Sequence, residues 1–181
     1  MRKIDEVSAW RPYVDPLDGT VYDLSHLDAH EVTYSTVFKG QTEEYTFIVS
    51  YSFHCFAKDY EHQVQEELER LMYHAPNASR PFCVQRYELS KKYLRQIVEN
   101  LGDKGTYIGH AGFGSYATVS IPIEDGTSLH YFVPFKAYRE KKQLRIHITS
   151  AYPIDERQKL RKVNFFSIAK NLRQGKQPPK P

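Results

Sequence analysis

The C-terminal half of the chain contains two stretches in which apolar and polar residues alternate, and this pattern constrains the fold most. Residues 115–123 and 127–138 both alternate in this way, and Glu124, Asp125 and Gly126 lie between their apolar ends. A period of two predicts β-strands that bury one face. A three-residue loop from Glu124 to Gly126 brings both apolar sets onto the same face of an antiparallel meander, whereas a two-residue turn separates them.

Two further turns complete the predicted sheet. Residues 139–142 form a charged turn that leads into a third strand of the meander, and residues 39–42 connect segments 31–38 and 44–55. The last two segments alternate apolar and polar residues, so they predict an N-terminal hairpin. Loops of four residues at both turns keep the apolar faces of the paired strands together.

Two amphipathic segments separate the hairpin from the meander. Residues 60–74 place apolar side chains at helical spacing, and a second such stretch runs from Ser90 to Leu101. Ser90 is a suitable N-cap for the second helix. Lys91 and Lys92 then lie in the first helical turn, where a bound phosphate would offset their unfavourable interaction with the helix dipole. Two solvated lysines are the alternative interpretation.

The order of these elements predicts an α+β fold, with an N-terminal β-hairpin, two helices and an antiparallel β-meander packed on the helices. Residues 163–172 complete the fold as a last strand or a short helix. A length of 181 residues is that of one domain, which we assign to residues 1–176. Residues 177–181 are rich in proline and lysine, and we expect them to form a frayed tail.

The composition excludes several classes of protein. Hydrophobic residues make up 40% of the chain and charged residues 26%, which is typical of a folded soluble protein. The basic N-terminus is not followed by an apolar signal segment, and no apolar run approaches the roughly 20 residues of a membrane helix. Cys55 and Cys83 make neither a disulfide framework nor a zinc site. We therefore expect a cytoplasmic protein with free thiols, and nothing implies a metal or cofactor.

Charge is distributed unevenly along the chain. The net charge is +3, yet no acidic residue follows Glu156, and the remaining segment carries eight lysines and arginines. A basic end on a mildly acidic body is typical of proteins that bind RNA or another polyanion, although it can also be a solvated element that aids solubility. The predicted nucleic-acid-binding residues are Arg157, Lys159, Arg161 and Lys162, together with Arg86, Lys91 and Lys92 near the second helix.

The predicted meander also places a set of polar residues on one sheet face. The three-residue loop sets Ile121 opposite Leu129 and Val119 opposite Tyr131, so the alternate positions share the other face. Metal-free RNA cleavage needs an acid, a base and a cation that stabilises the phosphorane, and this face offers imidazole, hydroxyl and guanidinium groups. An ordinary solvated sheet face is the alternative. The predicted catalytic residues are His130, His147, Arg145, Ser120 and Thr149.

Three short motifs resemble those of a known group of proteins. They are residues 52–56 (SFHCF), 86–90 (RYELS) and 150–152 (SAY). In this order they resemble an uncharacterised family of small bacterial and phage proteins, a resemblance that implies no particular activity. Separately, two helices followed by an antiparallel meander are similar in layout to the barnase and RelE-type ribonucleases. A shared layout does not by itself imply a shared function.

These observations lead to three hypotheses. The first is a metal-independent ribonuclease, such as a toxin or defence factor that acts on RNA, in which Arg86 and Lys91 grip flanking phosphates. The second is a non-enzymatic protein of a phage or mobile element, which binds a host nucleic-acid or defence complex through its basic C-terminal segment. The third is a structural domain whose open sheet face is a subunit interface. None of the three involves a membrane.

Overall fold

The computed structural model describes residues 6–60, 64–112, 115–122, 128–156 and 158–180, and only the backbone of residues 119–122, 128 and 129. Short 3₁₀ turns lie at Ser25–Leu27 and Phe53–Cys55. In chain order the strands and helices are β1 (Tyr13–Val14), β2 (Val21–Tyr22), β3 (His30–Phe38), β4 (Gln41–Tyr51), α1 (Gln65–Leu71), β5 (Met72–Ala75), β6 (Ala78–Pro81), α2 (Val84–Leu89), a π-helical turn (Ser90–Leu94), α3 (Arg95–Glu99), β7 (Ile108–Gly112), β8 (Ser115–Pro122), β9 (Ser128–Glu140), β10 (Gln143–Ile148), β11 (Tyr152–Pro153), β12 (Arg161–Lys162) and α4 (Phe165–Arg173).

The central sheet joins the N-terminal hairpin to the meander. Its strands follow the order β12-β7-β8-β9-β10-β4-β3, and β11 also pairs with β9. Neighbouring strands are antiparallel except β4 and β10, which run parallel with Phe47 opposite Leu144 and Tyr51 opposite Ile148. The predicted α+β class is therefore confirmed, and the hairpin that the sequence placed before the helices becomes one edge of the same sheet.

A bulge in β8 changes the predicted register of the meander. Ile121 lies opposite Leu129, as predicted, but Val119 pairs with Phe132 rather than with Tyr131. The extra residue inverts the faces of the strand before it. The alternation predicted from the sequence puts Thr118 on the polar face with Ser120. Thr118 instead lies opposite Val133 on the core face and is 7% exposed, so that prediction was wrong.

The β3–β4 and β9–β10 hairpins of the sheet both close with two-residue turns. Lys39 and Gly40 connect β3 to β4 with φ angles of 50° and 78°, and Lys141 and Lys142 connect β9 to β10 with 48° and 70°. Left-handed conformations at both positions define the type I′ turn, whose twist matches that of the flanking strands. The predicted four-residue loops were therefore too long. The resulting shift in pairing is two residues, so the buried faces stay the same.

Both predicted helices have different bounds in the structure. The first ends at Leu71, because Met72–Ala75 pairs with Ala78–Pro81 as a hairpin. The second begins at Val84 rather than Ser90, so Lys91 and Lys92 lie within a continuous helical segment and not at its N-terminus. The predicted phosphate site in a first helical turn was therefore wrong. None of the helices in the described residues is long and apolar enough to cross a membrane.

The sheet curls around the main apolar core, and a smaller apolar cluster around Ala117 and Phe132 is separate from it. Val163 N–H donates to Ile108 O at the β7 edge, and two residues later Phe165 packs its ring 4.5 Å from that of Tyr34 in β3. Both edges of the sheet thus meet the start of α4, whose N-cap Asn164 accepts a hydrogen bond from Ser167 N–H. Tyr34 is also fixed from the helical side, because its hydroxyl donates to Val98 O at 2.6 Å.

The residues after α4 follow the helix back toward the sheet. Asn171 Nδ2 donates to Gln177 O at 3.0 Å, and the Tyr116 hydroxyl donates to Pro179 O at 2.8 Å. Tyr116 is fully buried on the core face, so the backbone carbonyl of Pro179 satisfies a hydroxyl that would otherwise be unpaired. The segment predicted as a frayed tail thus supplies a hydrogen-bond acceptor to the core.

Gly109 in β7 is expected to be intolerant of a side chain. A Cβ built there lies 2.9 Å from Leu160 Cδ1 and 3.1 Å from its Cγ, so Gly109→Ala should lower the free energy of unfolding by about 1–3 kcal/mol. Gly105→Ala is the matched control, because its Cβ meets nothing within 4 Å, and it should change stability by less than about 1 kcal/mol. Urea unfolding measures both values, and equal losses would contradict this packing.

Candidate functional site

His147 is buried on the sheet face that lies away from the helices. Its Nδ1 lies 2.9 Å from the hydroxyl of Ser50 across the parallel strands β4 and β10. His147 is 7% exposed and Ser50 1%. Burial, assisted by the positive charge of Lys136, lowers the pKa of His147 to about 4. The imidazole is therefore neutral near pH 7 and belongs to a buried hydrogen bond.

The two predicted catalytic histidines lie far apart. His147 pairs with Lys136 of β9, six residues along the strand from His130. At 3.3–3.4 Å per residue this separation is about 20 Å. His130 is half-buried near β11, where its carbonyl accepts a hydrogen bond from Ile154 N–H. The structure therefore does not bring the two imidazoles together.

The other predicted catalytic residues are also dispersed. Arg145 forms ion pairs with Glu6 and Glu140, so its guanidinium is already neutralised. Thr149 follows β10, and its hydroxyl donates to Pro134 O at 3.1 Å. Ser120 lies at the bulge of β8, and its side chain is outside the part of the chain that the structure describes.

The predicted phosphate-binding residues of the second helix make contacts within the protein. Lys91 Nζ donates to the Tyr87 hydroxyl at 3.0 Å, and Lys92 Nζ lies 5.0 Å from the centre of the Tyr93 ring. Arg86 is half-buried and its guanidinium bonds backbone carbonyls, as described below. Arg86 is thus a structural cation.

The predicted basic residues of the C-terminal segment lie at a sheet edge. Arg161 and Lys162 form β12, where they pair with His110 and Gly109 of β7, and both side chains are exposed. Lys159 is exposed two residues earlier. Arg157 lies outside the described residues. These three exposed cations are therefore close in sequence and available to solvent.

The three motifs singled out in the sequence converge around Arg86. Its Nη1 donates to His54 O at 2.9 Å and to Ala57 O at 2.8 Å, and its guanidinium lies 5.1 Å from the centre of the Tyr152 ring. Ser150 Oγ reaches the same His54 carbonyl at 3.4 Å. One guanidinium thus joins the turn after β4, helix α2 and the segment after β10.

Ser90, which belongs to the second motif and begins the π-helical turn, is in contact with His26. Ser90 is fully buried, donates its hydroxyl to Tyr87 O at 2.8 Å, and lies 2.8 Å from His26 Nε2. A serine beside an imidazole is the arrangement of an activated nucleophile. Because Ser90 is inaccessible and its proton is bonded to a backbone carbonyl, the pair is structural.

The turn at residues 52–56 carries two titratable groups. Burial, followed by the charges of Arg80 and Arg86, lowers the pKa of His54. The Cys55 thiol is fully buried, and this burial raises its pKa to about 12. Cys55 is therefore an unreactive core residue. The described residues contain no group of three His, Cys, Asp or Glu side chains that could hold a metal ion.

A groove of about 970 Å³ lies beside this turn, between the N-terminal segment and the β5–β6 hairpin. The segment from Glu6 to Arg11 forms one wall, and residues 73–78 form the other. Tyr51, the last residue of β4, and Ser52 and Phe53, which follow it, also line the groove. Ligands of open sheets commonly bind beyond the carboxyl ends of parallel strands, and a groove of this size holds a small molecule.

Buried aromatic residues hold the walls of the groove in place. The Trp10 ring packs edge-on against Phe56 at 5.1 Å and lies 6.1 Å from that of Tyr73. The backbone N–H of Trp10 donates to Asp28 Oδ1 at 2.7 Å, and the Tyr73 hydroxyl donates to the backbone carbonyl of Arg11 at 3.0 Å. The N-terminal segment is therefore fixed although it has no regular secondary structure.

A smaller depression of about 300 Å³ adjoins the groove. The two share Arg11, Tyr73 and His74, and Arg70 also lines the smaller one. Among the residues that the structure describes, no Asp or Glu lines it. Neither arginine forms an ion pair with any residue that the structure describes. The depression therefore has a positive charge that no carboxylate of its lining offsets.

Sequence reasoning missed this site. The groove depends on Trp10 and Arg11, which lie in a segment for which the sequence predicts no helix or strand, and on His74, which was assigned to a helix. One sequence signal could have indicated the site: Trp10 is the single tryptophan of the chain, and it lies between an alanine, Ala9, and an arginine, Arg11. A large aromatic residue in a loop needs a partner surface, since exposed indole is costly.

Comparison with known proteins identifies the family. The model of the YjaZ family matches residues 12–173. Protein YjaZ of Escherichia coli (strain K12) is 51% identical over 177 residues, which cover 97% of each chain. No solved structure matches the chain. The similarity in layout to barnase and RelE-type ribonucleases stays a prediction. The match along nearly the whole length shows that the chain belongs to the YjaZ family.

Proposed function

We propose that this protein is a binding protein that takes a small organic ligand in the groove between the N-terminal segment and the β5–β6 hairpin. One observation carries the proposal: a groove of about 970 Å³, walled by Trp10 and Tyr73, opens beside the turn on which the three motifs converge. The buried walls make it a preformed site, and its lining combines aromatic side chains with polar groups that could orient a ligand.

The dispersal of the predicted catalytic residues favours binding over RNA cleavage. A general acid and base act on one substrate within hydrogen-bond reach, whereas His130 and His147 are about 20 Å apart along the sheet. His147 is also buried and neutral. Ribonuclease activity at these residues stays a prediction, and the groove has the stronger support.

Binding of RNA or another polyanion at β12 is a second candidate function. The exposed side chains of Lys159, Arg161 and Lys162 favour it, because cations along an exposed edge can contact successive phosphates. This surface is distinct from the groove lining, so the two candidates predict different binding residues.

Trp10 provides a direct test of the groove, because it is the only source of tryptophan fluorescence in the chain. The probe is 8-anilinonaphthalene-1-sulfonate, which fluoresces in apolar sites and accepts energy from tryptophan. We expect saturable energy transfer from Trp10 to the probe. Ala9→Phe, at an exposed position of the groove wall, should weaken the affinity about tenfold by filling the groove.

The matched control introduces the same ring elsewhere. Lys104→Phe changes an exposed turn residue that does not line the groove, and it should leave the affinity unchanged. Circular dichroism checks that both variants are folded. Equal affinity of Ala9→Phe and the unmodified protein would overturn the groove as the binding site.

A further inference from the structure

Two arginines meet in the depression beside the groove. Arg11 and Arg70 both line this space of about 300 Å³, and His74 lies between it and the groove. Their backbones are held by buried tyrosines, because the Tyr13 hydroxyl donates to Arg70 O at 3.1 Å and that of Tyr73 donates to Arg11 O. The backbone positions from which the two arginine side chains extend are therefore fixed.

The charge of this depression is not compensated from within. Arg70 Nε is buried and lacks a hydrogen-bond partner among the described residues, although a buried guanidinium N–H normally has one. Hydrogen bonds from Thr20, and to a smaller extent the charge of Arg70, lower the pKa of Asp18. The carboxylates of Asp15 and Asp18 nevertheless bond their own turn: Asp15 accepts from Leu17 N–H at 2.9 Å and Asp18 from Thr20 N–H at 2.8 Å. An anion bound in the depression would reduce the repulsion between the two cations.

His74 adds a third donor to the same wall. Its Nδ1 lies 2.7 Å from Ser79 Oγ, which leaves Nε2 for another partner. Three donor groups on separate elements suit a tetrahedral anion with three terminal oxygens, whereas one guanidinium already satisfies both oxygens of a carboxylate. Two full positive charges also match the charge of about −1.5 to −2 on a phosphate monoester near pH 7.

We infer that the ligand is a phosphate monoester of an apolar or aromatic alcohol. Its phosphate lies in the depression between Arg11 and Arg70, and its body passes Tyr73 into the groove beside Trp10. The two spaces share Arg11, Tyr73 and His74, so one molecule can occupy both. The inference rests on the groove proposed above, and it adds the chemical class of the ligand.

The test uses phenyl phosphate as the probe and Trp10 emission as the readout, with inorganic phosphate, phenylacetate and benzyl alcohol for comparison. We expect phenyl phosphate to bind most tightly. Arg70→Gln and Arg11→Gln should each weaken its binding about tenfold or more. Arg161→Gln, which removes an exposed arginine from β12, is the matched control and should change nothing. Arg11 is exposed, so its variant remains informative if Arg70→Gln does not fold.

The outcomes separate this inference from the groove itself. Equal binding of phenylacetate, or no loss in either arginine variant, would overturn the phosphate assignment, and in that case tight binding of benzyl alcohol would still support the groove. Binding of inorganic phosphate that depends on Arg70, with no gain from the phenyl ring, would support the anion site and overturn the groove. Equal losses of affinity for phenyl phosphate in Arg161→Gln and Arg70→Gln would show that only the net charge of the protein matters, and this would overturn the site.

Discussion

Replacing Arg86 by methionine is expected to lower the free energy of unfolding by at least about 3 kcal/mol. The guanidinium makes two hydrogen bonds to the carbonyls of His54 and Ala57 and lies over the Tyr152 ring. Hydrogen bonds to a charged group contribute about 1.5–3 kcal/mol each. Their loss leaves the fully buried carbonyl of Ala57 without this donor and leaves the His54 carbonyl with only the longer contact to Ser150 Oγ. Methionine keeps the apolar stem, so the measured difference reports the guanidinium.

Arg95→Met is the matched control for this effect. Arg95 is exposed on α3 and forms an i,i+4 pair with Glu99 at 3.5 Å, an interaction worth about 0.3–0.5 kcal/mol. Urea unfolding of both variants compares the two. Similar decreases in the free energy of unfolding for Arg86→Met and Arg95→Met would contradict a stabilising role of the Arg86 contacts between the three motifs.

Acid is expected to destabilise the protein through His147. Because burial lowers the folded pKa of His147 to about 4 while the unfolded value is near 6.5, the unfolded chain binds a proton first as the pH falls. Stability is therefore unaffected by this group above about pH 6.5 and decreases between about pH 6.5 and 4. The difference in pKa corresponds to a loss of about 3 kcal/mol at pH 4.

His147→Gln isolates this contribution. Glutamine keeps a polar partner for Ser50 but does not titrate, so its stability curve should lack most of the slope between pH 6.5 and 4. Burial also lowers the pKa values of His26, His30 and His54, and these residues leave a slope common to both proteins. Thermal unfolding across this pH range makes the comparison, and identical slopes would contradict a buried, neutral His147.

Periodicity in the sequence predicts most of the sheet but not its details. The buried faces of β9 and β10 follow directly from alternation, and two-residue errors in loop length leave these faces unchanged. The bulge near Ser120 has no sequence signal, and it alone moves Thr118 to the core. The two-residue turns at Lys39 and Lys141 also cannot be predicted from the sequence, because lysine rarely adopts positive φ.

The candidate site depends on contacts that alternation does not describe. Arg86 was predicted to bind phosphate because it precedes two lysines, yet the turn at residues 53–55 brings two carbonyls to it. Trp10 lines the groove and Arg70 lines the depression, and the two residues are sixty positions apart in the sequence. The groove and the depression adjoin because the N-terminal segment packs on the β5–β6 hairpin. Such long-range contacts carry no local pattern.

Nuclear magnetic resonance of the ¹⁵N-labelled protein tests the binding site most directly. The chain has one tryptophan and therefore one indole N–H signal, which belongs to Trp10. On titration with phenyl phosphate, we expect this signal and the backbone amides of Arg11, Ser52 and Asn77 to shift together and saturate. The amides of β12 should stay unchanged. Shifts confined to Lys159 and β12 while the indole signal stays in place would contradict binding in the groove and favour a polyanion-binding edge.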